Sequence, residues 1–583
     1  MTIDTRAIER RALLRAAALG GAGLGLAPLF PAWAQSGTPG TVRQNETLTG
    51  EDIRLTVDHG PFSTGGRSGH SVTVNGTVPG PLIRLEEGQN VRLHVDNRLD
   101  EDTSIHWHGL IVPFQMDGVP GVSFPGIKAR STFTYEFPIR QSGTYWYHSH
   151  SGHQEQSGLY GPLVIDPAGA DPVAYDREHV IVLSDWTFMH PHQLMQRLKQ
   201  EAGFFNRQRT TLLRRLQGKD KMSAADRAMF AQMRMDPTDI LDVTGAAYTY
   251  LINGHGPDEN WTGLFKPGER VRLRIVNAAA MTIFNVRIPG LAMEVVASDG
   301  QHVRPVTVDE IQIGNAETYD VIVTPGEGAY SFVAEAMDRS GMGVATLAPR
   351  RGMRAPVPPL RERPILTMKD MGMGGMGDMA GMDHGAQDGG AGMAMDHGKM
   401  DMRDETEVPF KVGVGVDMIA PMPTDRSGEP GLGLENAGHR VLTYRDLISA
   451  VPNPDTRTPT RTVEVHLTGN MERFMWSMDG KKLSEAPEPI RFERNERVRV
   501  TMINHTMMTH PMHLHGHFFE VVNGQSGNHP VKHTVRVLPG AAQSFDLTAD
   551  APGDWAFHCH LMLHMHAGMM RVVTVRPMDG EAA

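Results

Sequence analysis

A chain of 583 residues with a single cysteine cannot close an intrachain disulfide, so its fold has to be held by burial and hydrogen bonds alone. Aromatic residues are scarce, at 6%. Positive charge is also in deficit: 56 Lys and Arg against 67 Asp and Glu leave a net −11. That balance argues against nucleic acid and against an anionic membrane surface as partners. Beyond the first 34 residues there is no apolar run long enough to cross a bilayer. What is abundant is methionine, with 37 residues, and histidine, with 28. Thioethers and imidazoles together suit copper, although methionine is also a common core filler.

The N-terminus carries an export pattern. Arg10 and Arg11 precede an apolar stretch from Ala16 to Phe30, which ends in Ala32-Trp33-Ala34. A charged region, a short apolar region and a small-x-small site form a cleavable signal peptide over residues 1–34. The paired arginines resemble a twin-arginine leader, which exports folded proteins. The mature chain is therefore expected in the periplasm, without a membrane anchor and as a monomer.

Two motifs recur three times in the same order. The first is Gly88–Asn97, Gly268–Asn277 and Asn495–Asn504, each a turn followed by an alternating strand. The second is Gly143–Tyr147, Gly328–Phe332 and Gly553–Phe557. Short strands with Gly and Pro turns, repeated in this way, predict an all-β chain of three related barrel or sandwich domains. The domains are placed at 42–168, 175–350 and 439–578. Residues 190–240 lack β alternation, carry helix formers and read as a helical insertion in the second domain. Residues 351–438 read as a linker. Its 368–402 part is low-complexity, rich in Met, Gly and Asp, and cannot build a core by itself.

The repeats differ in their histidines. Nine and eleven residues after the closing Asn, the first domain has His106 and His108 and the third has His513 and His515. The second has Val286 and Ile288. Five and seven residues after the second motif's Gly come His148 and His150, His558 and His560, but Val333 and Glu335 in the second domain. Eight histidines are thus expected to meet between the first and third domains. In His558-Cys559-His560 the sole cysteine lies between two of them. On a strand it faces away from both. His564 and Met569 follow at five and ten residues, and His510 stands upstream. Two His, one Cys and a weak axial Met make a blue-copper set.

These segments resemble the multicopper oxidases. The residues carrying the resemblance are His106-Trp107-His108-Gly109, His148-Ser149-His150, His510-x-x-His513-x-His515, and His558-Cys559-His560-x-x-x-His564-x-x-x-x-Met569. The likeness spans about residues 45 to 577. The leader and the Met-rich segment look like the periplasmic copper-resistance oxidases within that family. The resemblance implies three cupredoxin-like Greek-key β-barrels and four copper ions. Type 1 copper would sit on His510, Cys559 and His564 with axial Met569. Type 2 would sit on His106 and His513. The type 3 pair would sit on His108, His148, His150, His515, His558 and His560. The implied reaction takes single electrons at type 1 copper, passes them through Cys559, and reduces O2 to water. Asp117, in Met116-Asp117-Gly118, matches a family acid near type 2 copper and is a candidate proton relay, although Asp-Gly is also a common turn. One departure is that Met565 stands where several members carry Glu after the type 1 His, so another acid is needed on any proton path there. His70, His190, His192 and His439 read as ordinary histidines. His517 and His566 match no ligand position.

The Met-rich segment, with His384 and His397, is expected to take extra Cu(I). Cu(I) is then the leading reductant. A phenol or other organic reductant, as in laccases, and a purely copper-sequestering protein are the alternatives. Met475, Met478, Met507, Met508, Met512, Met562, Met565 and Met570 crowd the same motifs, and core packing is the simpler role for them. If Cys559 is the thiolate ligand, Cys559→Ser abolishes the intense visible band of the copper-loaded protein. A band that survives in the optical spectrum would refute the assignment.

Overall fold

The computed structural model describes residues 46–218, 222–232, 234–373, 402–485 and 487–578. Residues 1–34, expected from sequence to be an export leader, and residues 374–401 of the Met-rich segment lie outside them. Among the described residues, no helix is long and apolar enough to cross a membrane.

The protein is mostly β, arranged as three pairs of stacked sheets. In the first pair, Asp52–Thr64 lies between Arg67–Val74 and Asn90–Asn97, with Thr132–Pro138 outermost. Facing it is a five-stranded sheet whose edge is His106–His108, beside Gly143–His148. The third pair repeats this plan. Arg461–Asn470, Arg497–Asn504 and Ala542–Thr548 adjoin in one sheet, and Gly553–Cys559 and His510–Leu514 adjoin in the other. The two repeated motifs therefore occupy equivalent strands in opposing sheets; the first domain closes around its own core, and the second and third share one.

The Asn that ends each first motif does one job three times. Asn97 donates to the carbonyls of Glu101, Ile127 and Lys128. Asn277 donates to those of Thr282 and Ile313. Asn504 donates to those of Met508, Val537 and Leu538. Each Oδ1 accepts a nearby backbone N–H, from Leu99, Ala279 and Thr506 respectively. A buried amide with all of its groups satisfied ties the turn at a fixed angle. The chain leaves that turn directly into the strand that bears the histidines.

The second domain departs from simple alternation. Val271–Asn277 is buried on both faces. Val271, Leu273 and Ile275 join the core, as the pattern predicts. Arg272 and Arg274 face the first domain instead of water. Arg272 pairs with Asp171 and Asp320, and Arg274 pairs with Glu178 and Asp320 and donates to Thr144 Oγ1 at 2.9 Å. A buried guanidinium is tolerable only with its donors filled in this way. The strand register also corrects the sequence comparison: Val286 lies opposite Ala334, not Val333. The second-domain positions are offset by one residue, and they still present no imidazole.

The insertion is helical over Pro191–Gln200, Leu212–Leu216 and Ala224–Gln232. Leu194, Met195, Leu198 and Phe230 enter a core that runs continuously through the second and third domains. The middle helix is shorter than its composition suggests, and Leu212, Leu213 and Leu216 remain exposed. The Met-rich segment also begins later than expected. Thr367 and Asp370 cap a short turn over Met368–Met371, Asp370 pairs with Arg426 at 2.9 Å, and Met371 and Met373 are buried.

Candidate metal centres

Two strand pairs set the site. His106 lies opposite His148 in the first domain, and His513 lies opposite His558 in the third. Each pair projects imidazoles toward the other across the domain boundary. Trp107, between His106 and His108, turns the other way into the first core and packs edge-on against Tyr135. Cys559, between His558 and His560, likewise turns into the shared core of the second and third domains. Its first-domain counterpart Ser149 is tied up by Gln154 and by the Ser151 N–H.

The nitrogens converge in groups. One atom each from His108, His148 and His560 lie within 4.8 Å of one another, as do atoms from His150, His515 and His558. His106, His108 and His513 make a third group at the same spacing. His510, Cys559 and His564 make a separate one. All eleven of these predicted side chains are thus drawn into two neighbourhoods. Met569 is fully buried beside the second. Its carbonyl accepts from the Cys559 N–H (3.1 Å), and its N–H donates to the His564 carbonyl (3.0 Å).

Outward hydrogen bonds orient the rings. His106 Nδ1 donates to the Asp117 carbonyl (2.7 Å) and His513 Nδ1 to the His533 carbonyl (2.7 Å). His148 Nδ1 faces the Glu155 carboxylate at 2.8 Å. His515 Nδ1 meets Asp117 Oδ2 at 2.9 Å, and His558 Nδ1 donates to the Cys559 carbonyl at 3.0 Å. With the proton on Nδ1, each Nε2 presents a lone pair inward. His106 Nε2, His148 Nε2 and His513 Nε2 are buried without any hydrogen-bond partner. His515 Nε2 and His558 Nε2 face each other at 3.0 Å. Two lone pairs at that distance repel unless a cation lies between them, so the residues fit a metal cluster. Gly118 makes the Asp117 turn possible: its φ is +84°, and a Cβ there would lie 1.9 Å from the Ile105 carbonyl oxygen.

At the cysteine centre the tautomer is reversed. His510 Nε2 meets Thr506 Oγ1 at 2.7 Å, and His564 Nε2 meets Asp242 Oδ2 at 2.7 Å. Their Nδ1 atoms point at Cys559 Sγ, at 3.5 and 3.8 Å. Burial pushes the Cys559 thiol up from its ordinary value, so the thiolate form calls for a bound metal ion to stabilise it. The indole of Trp476 stacks on His564 with centroids 3.8 Å apart.

Glu155, Asp242 and His533 were not singled out by sequence. Burial, and then the Asp185 charge, hold the Glu155 carboxyl well above its usual range. Burial pushes Asp242 up to about 7. Glu155 lies five residues past His150 and was findable as an acid beside a motif. Asp242 lies in the loop between the helical insertion and the strand Thr249–Ile252, and nothing local marks it.

Three cupredoxin-like domains, with one cysteine strand joining a His–Cys site to a histidine cluster, define a metal-dependent oxidase class. Three multicopper oxidase family models match the chain, at residues 56–170, 177–351 and 456–579. A copper resistance protein A homolog of Pseudomonas syringae pv. tomato is 48% identical over 576 residues, covering 94% of this chain and 95% of that protein. Copper resistance protein A of Escherichia coli is 49% identical over 570 residues, covering 91% and 93%. Among solved structures, Fet3p, a multicopper oxidase that functions in iron import, superposes with a TM-score of 0.61 at 19% identity, covering 91% of each chain. The chain belongs to the multicopper oxidase family.

Burial, reinforced at most positions by the neighbouring imidazoles, pushes His108, His148, His150, His513, His515 and His560 well below their ordinary values. His533 and His558 are lowered to about 4. In the unfolded chain these rings titrate near about 6.5. Below that pH the unfolded state binds more protons than the folded one, so stability is lost as pH falls from about 6.5 toward 4. The metal-free protein should therefore lose melting temperature steeply between pH 7 and pH 5 in calorimetry. A flat profile across that range would contradict the neutral, buried state of the cluster.

Proposed function

We propose that this protein is a periplasmic cuprous oxidase, exported by the twin-arginine route and acting as a monomer in copper resistance. Four cuprous ions give up one electron each, and one O2 with four protons becomes two waters. His510, Cys559, His564 and Met569 would hold type 1 copper. His106 and His513 would hold type 2. His108, His148, His150, His515, His558 and His560 would hold the type 3 pair. Bound there, copper supplies one-electron redox chemistry at the cysteine and a multi-electron site for O2 at the cluster.

The residues supply the rest. Cys559 belongs to one centre by its sulfur and to the other through its covalent neighbours His558 and His560, so the backbone itself links them. Asp117 grips His515 through its carboxylate and His106 through its carbonyl. It therefore orients ligands in two groups and lies where a proton enters the cluster. Glu155, held against His148, is a second carboxyl on a ligand and would take the place of the acid that Met565 lacks.

The observation favouring Cu(I) over an organic reductant is the closure of His564. Its ring is fully buried, with Asp242 on its outer nitrogen and Trp476 across its face. An aromatic reductant has no edge of that imidazole to touch, whereas a small ion needs none. The 48–49% identity to proteins named copper resistance protein A supports the same reading. Residues 374–401, with their methionines, would gather Cu(I) beforehand.

Dioxygen uptake under Cu(I) tests this. The intact protein should consume one O2 per four Cu(I), and a deletion of residues 374–401 should lower Cu(I) turnover while sparing turnover of an organic dye. Cu(I) oxidation no faster than that of Cys559→Ser would sink the proposal. Asp117→Asn should reduce O2 turnover by about 10- to 100-fold with the visible band intact. Turnover within twofold of the parent protein would remove Asp117 from the role.

A further inference from the structure

One ring of the histidine cluster is turned end for end. His106, His148, His513, His515 and His558 direct Nδ1 outward, to a carbonyl or a carboxylate. His108 does the reverse. Its Nδ1 is buried without a hydrogen-bond partner, and its Nε2 meets Thr534 Oγ1 at 3.3 Å. The His108 ring stacks on His513, with centroids 3.8 Å and planes 27° apart. His513 Nδ1 reaches the same hydroxyl at 3.2 Å, beside its 2.7 Å contact with the His533 carbonyl. A third nitrogen, His533 Nδ1, lies 3.1 Å from that oxygen.

Strand pairing and the second domain put Thr534 there. Thr534 opens the strand Thr534–Val537 and lies directly opposite His513 in the antiparallel pair with His510–Leu514, so their side chains share one face. Asp299 of the second domain accepts the Thr534 N–H at 3.1 Å and the His533 N–H at 3.3 Å on one carboxylate oxygen, and Lys532 Nζ lies 3.1 Å from that oxygen. Thr534 is fully buried, so water does not compete for its hydroxyl.

The bonding capacity of that hydroxyl fixes where the protons sit. A hydroxyl has two lone pairs and one proton, and a neutral imidazole has one N–H and one lone pair. Of three ring nitrogens around Oγ1, two can donate to it and one must accept from it. His513 Nδ1 is a donor, because the carbonyl beside it can only accept. One of His108 and His533 is then the other donor. If His108 accepted, its proton would sit on Nδ1 and no lone pair would remain for a metal ion. If His108 donates, its Nδ1 lone pair stays free, and the hydroxyl proton goes to His533 Nδ1.

We propose that Thr534 is a positioning residue of the cluster, accepting from His108 and His513 and donating to His533. It makes the two stacked rings bind through opposite nitrogens, His108 through Nδ1 and His513 through Nε2. This role rests on the four-copper arrangement, in which His108 serves the type 3 pair and His513 serves type 2. A third-domain hydroxyl, held by a second-domain carboxylate, thus sets a first-domain ligand. The second domain has no copper ligand of its own, yet it acts on the cluster through Asp299.

Copper retention tests it. Thr534→Val removes the hydroxyl at nearly constant shape, and Thr534→Ser keeps it. Copper-loaded proteins are dialysed against graded chelator, and copper per chain is read together with the visible band of the cysteine centre. Thr534→Val should release cluster copper at a chelator concentration about 10- to 100-fold lower than the parent protein needs, with the visible band unchanged. Thr534→Ser should restore the parent's retention. Thr534→Ala, which brings no new methyl group to the rings, decides the matter if Thr534→Val does not fold. Equal retention in Thr534→Val and the parent protein would overturn the role. So would a visible band lost in step with the cluster copper, because that marks a general loosening of the third domain. A parent protein that holds copper only at its cysteine centre would sink the four-copper reading, and this role with it.

Discussion

The structure depends on imidazole lone pairs aimed at one another in a space that water does not reach. His515 and His558 face each other at 3.0 Å, with their protons committed to the far side of each ring. Such a cluster opposes folding unless a cation fills it, because it buries polar atoms without partners. The surrounding features make sense as ways to hold that arrangement together. The Asn97 and Asn504 clamps fix where the histidine strands begin. Asp117, Glu155 and the His533 carbonyl fix which nitrogen carries the proton. The second domain supplies no ligand to the cluster, but its Asp299 and Glu317 neutralise Lys532 in full burial, next to His533. That ion network locks the second domain against the strand the cluster leans on.

The same geometry couples two chemistries. Along a strand, alternate residues face opposite ways, so Cys559 looks into the core while its neighbours look across the domain boundary. The residue that bears the sulfur is then joined by one peptide bond to a cluster histidine on either side. The oxidase reading follows from that connection more than from any single ligand. Closure of His564 by Asp242 and Trp476 then narrows what can deliver the electron. The loop that follows the helical insertion therefore helps to enclose His564, although it lies outside the repeated β plan.

Much of this was legible in the residue order. The threefold strand motif, its missing histidines in the second domain, and the spacing around Cys559 are local patterns, and strand periodicity converts them into faces. Other parts were not. Arg272 and Arg274 alternate with core residues, but alternation says which residues share a face and not what covers it, and here the first domain does. The one-residue offset at Val286 depends on cross-strand pairing that a linear comparison cannot see. Met371 and Met373 looked like part of a low-complexity segment, yet they pack into the core because Asp370 is tied to Arg426.

The sequence by itself determined the β repeats, the two ligand-bearing domains and the ligand types, since each rests on short local motifs that strand periodicity turns into faces. Only the tertiary structure decided which acids touch the ligands, how His564 is enclosed, and that His108 and His513 share the Thr534 hydroxyl. Those contacts join residues from different domains. Their proximity is set by domain packing, which leaves no mark on the spacing along the chain.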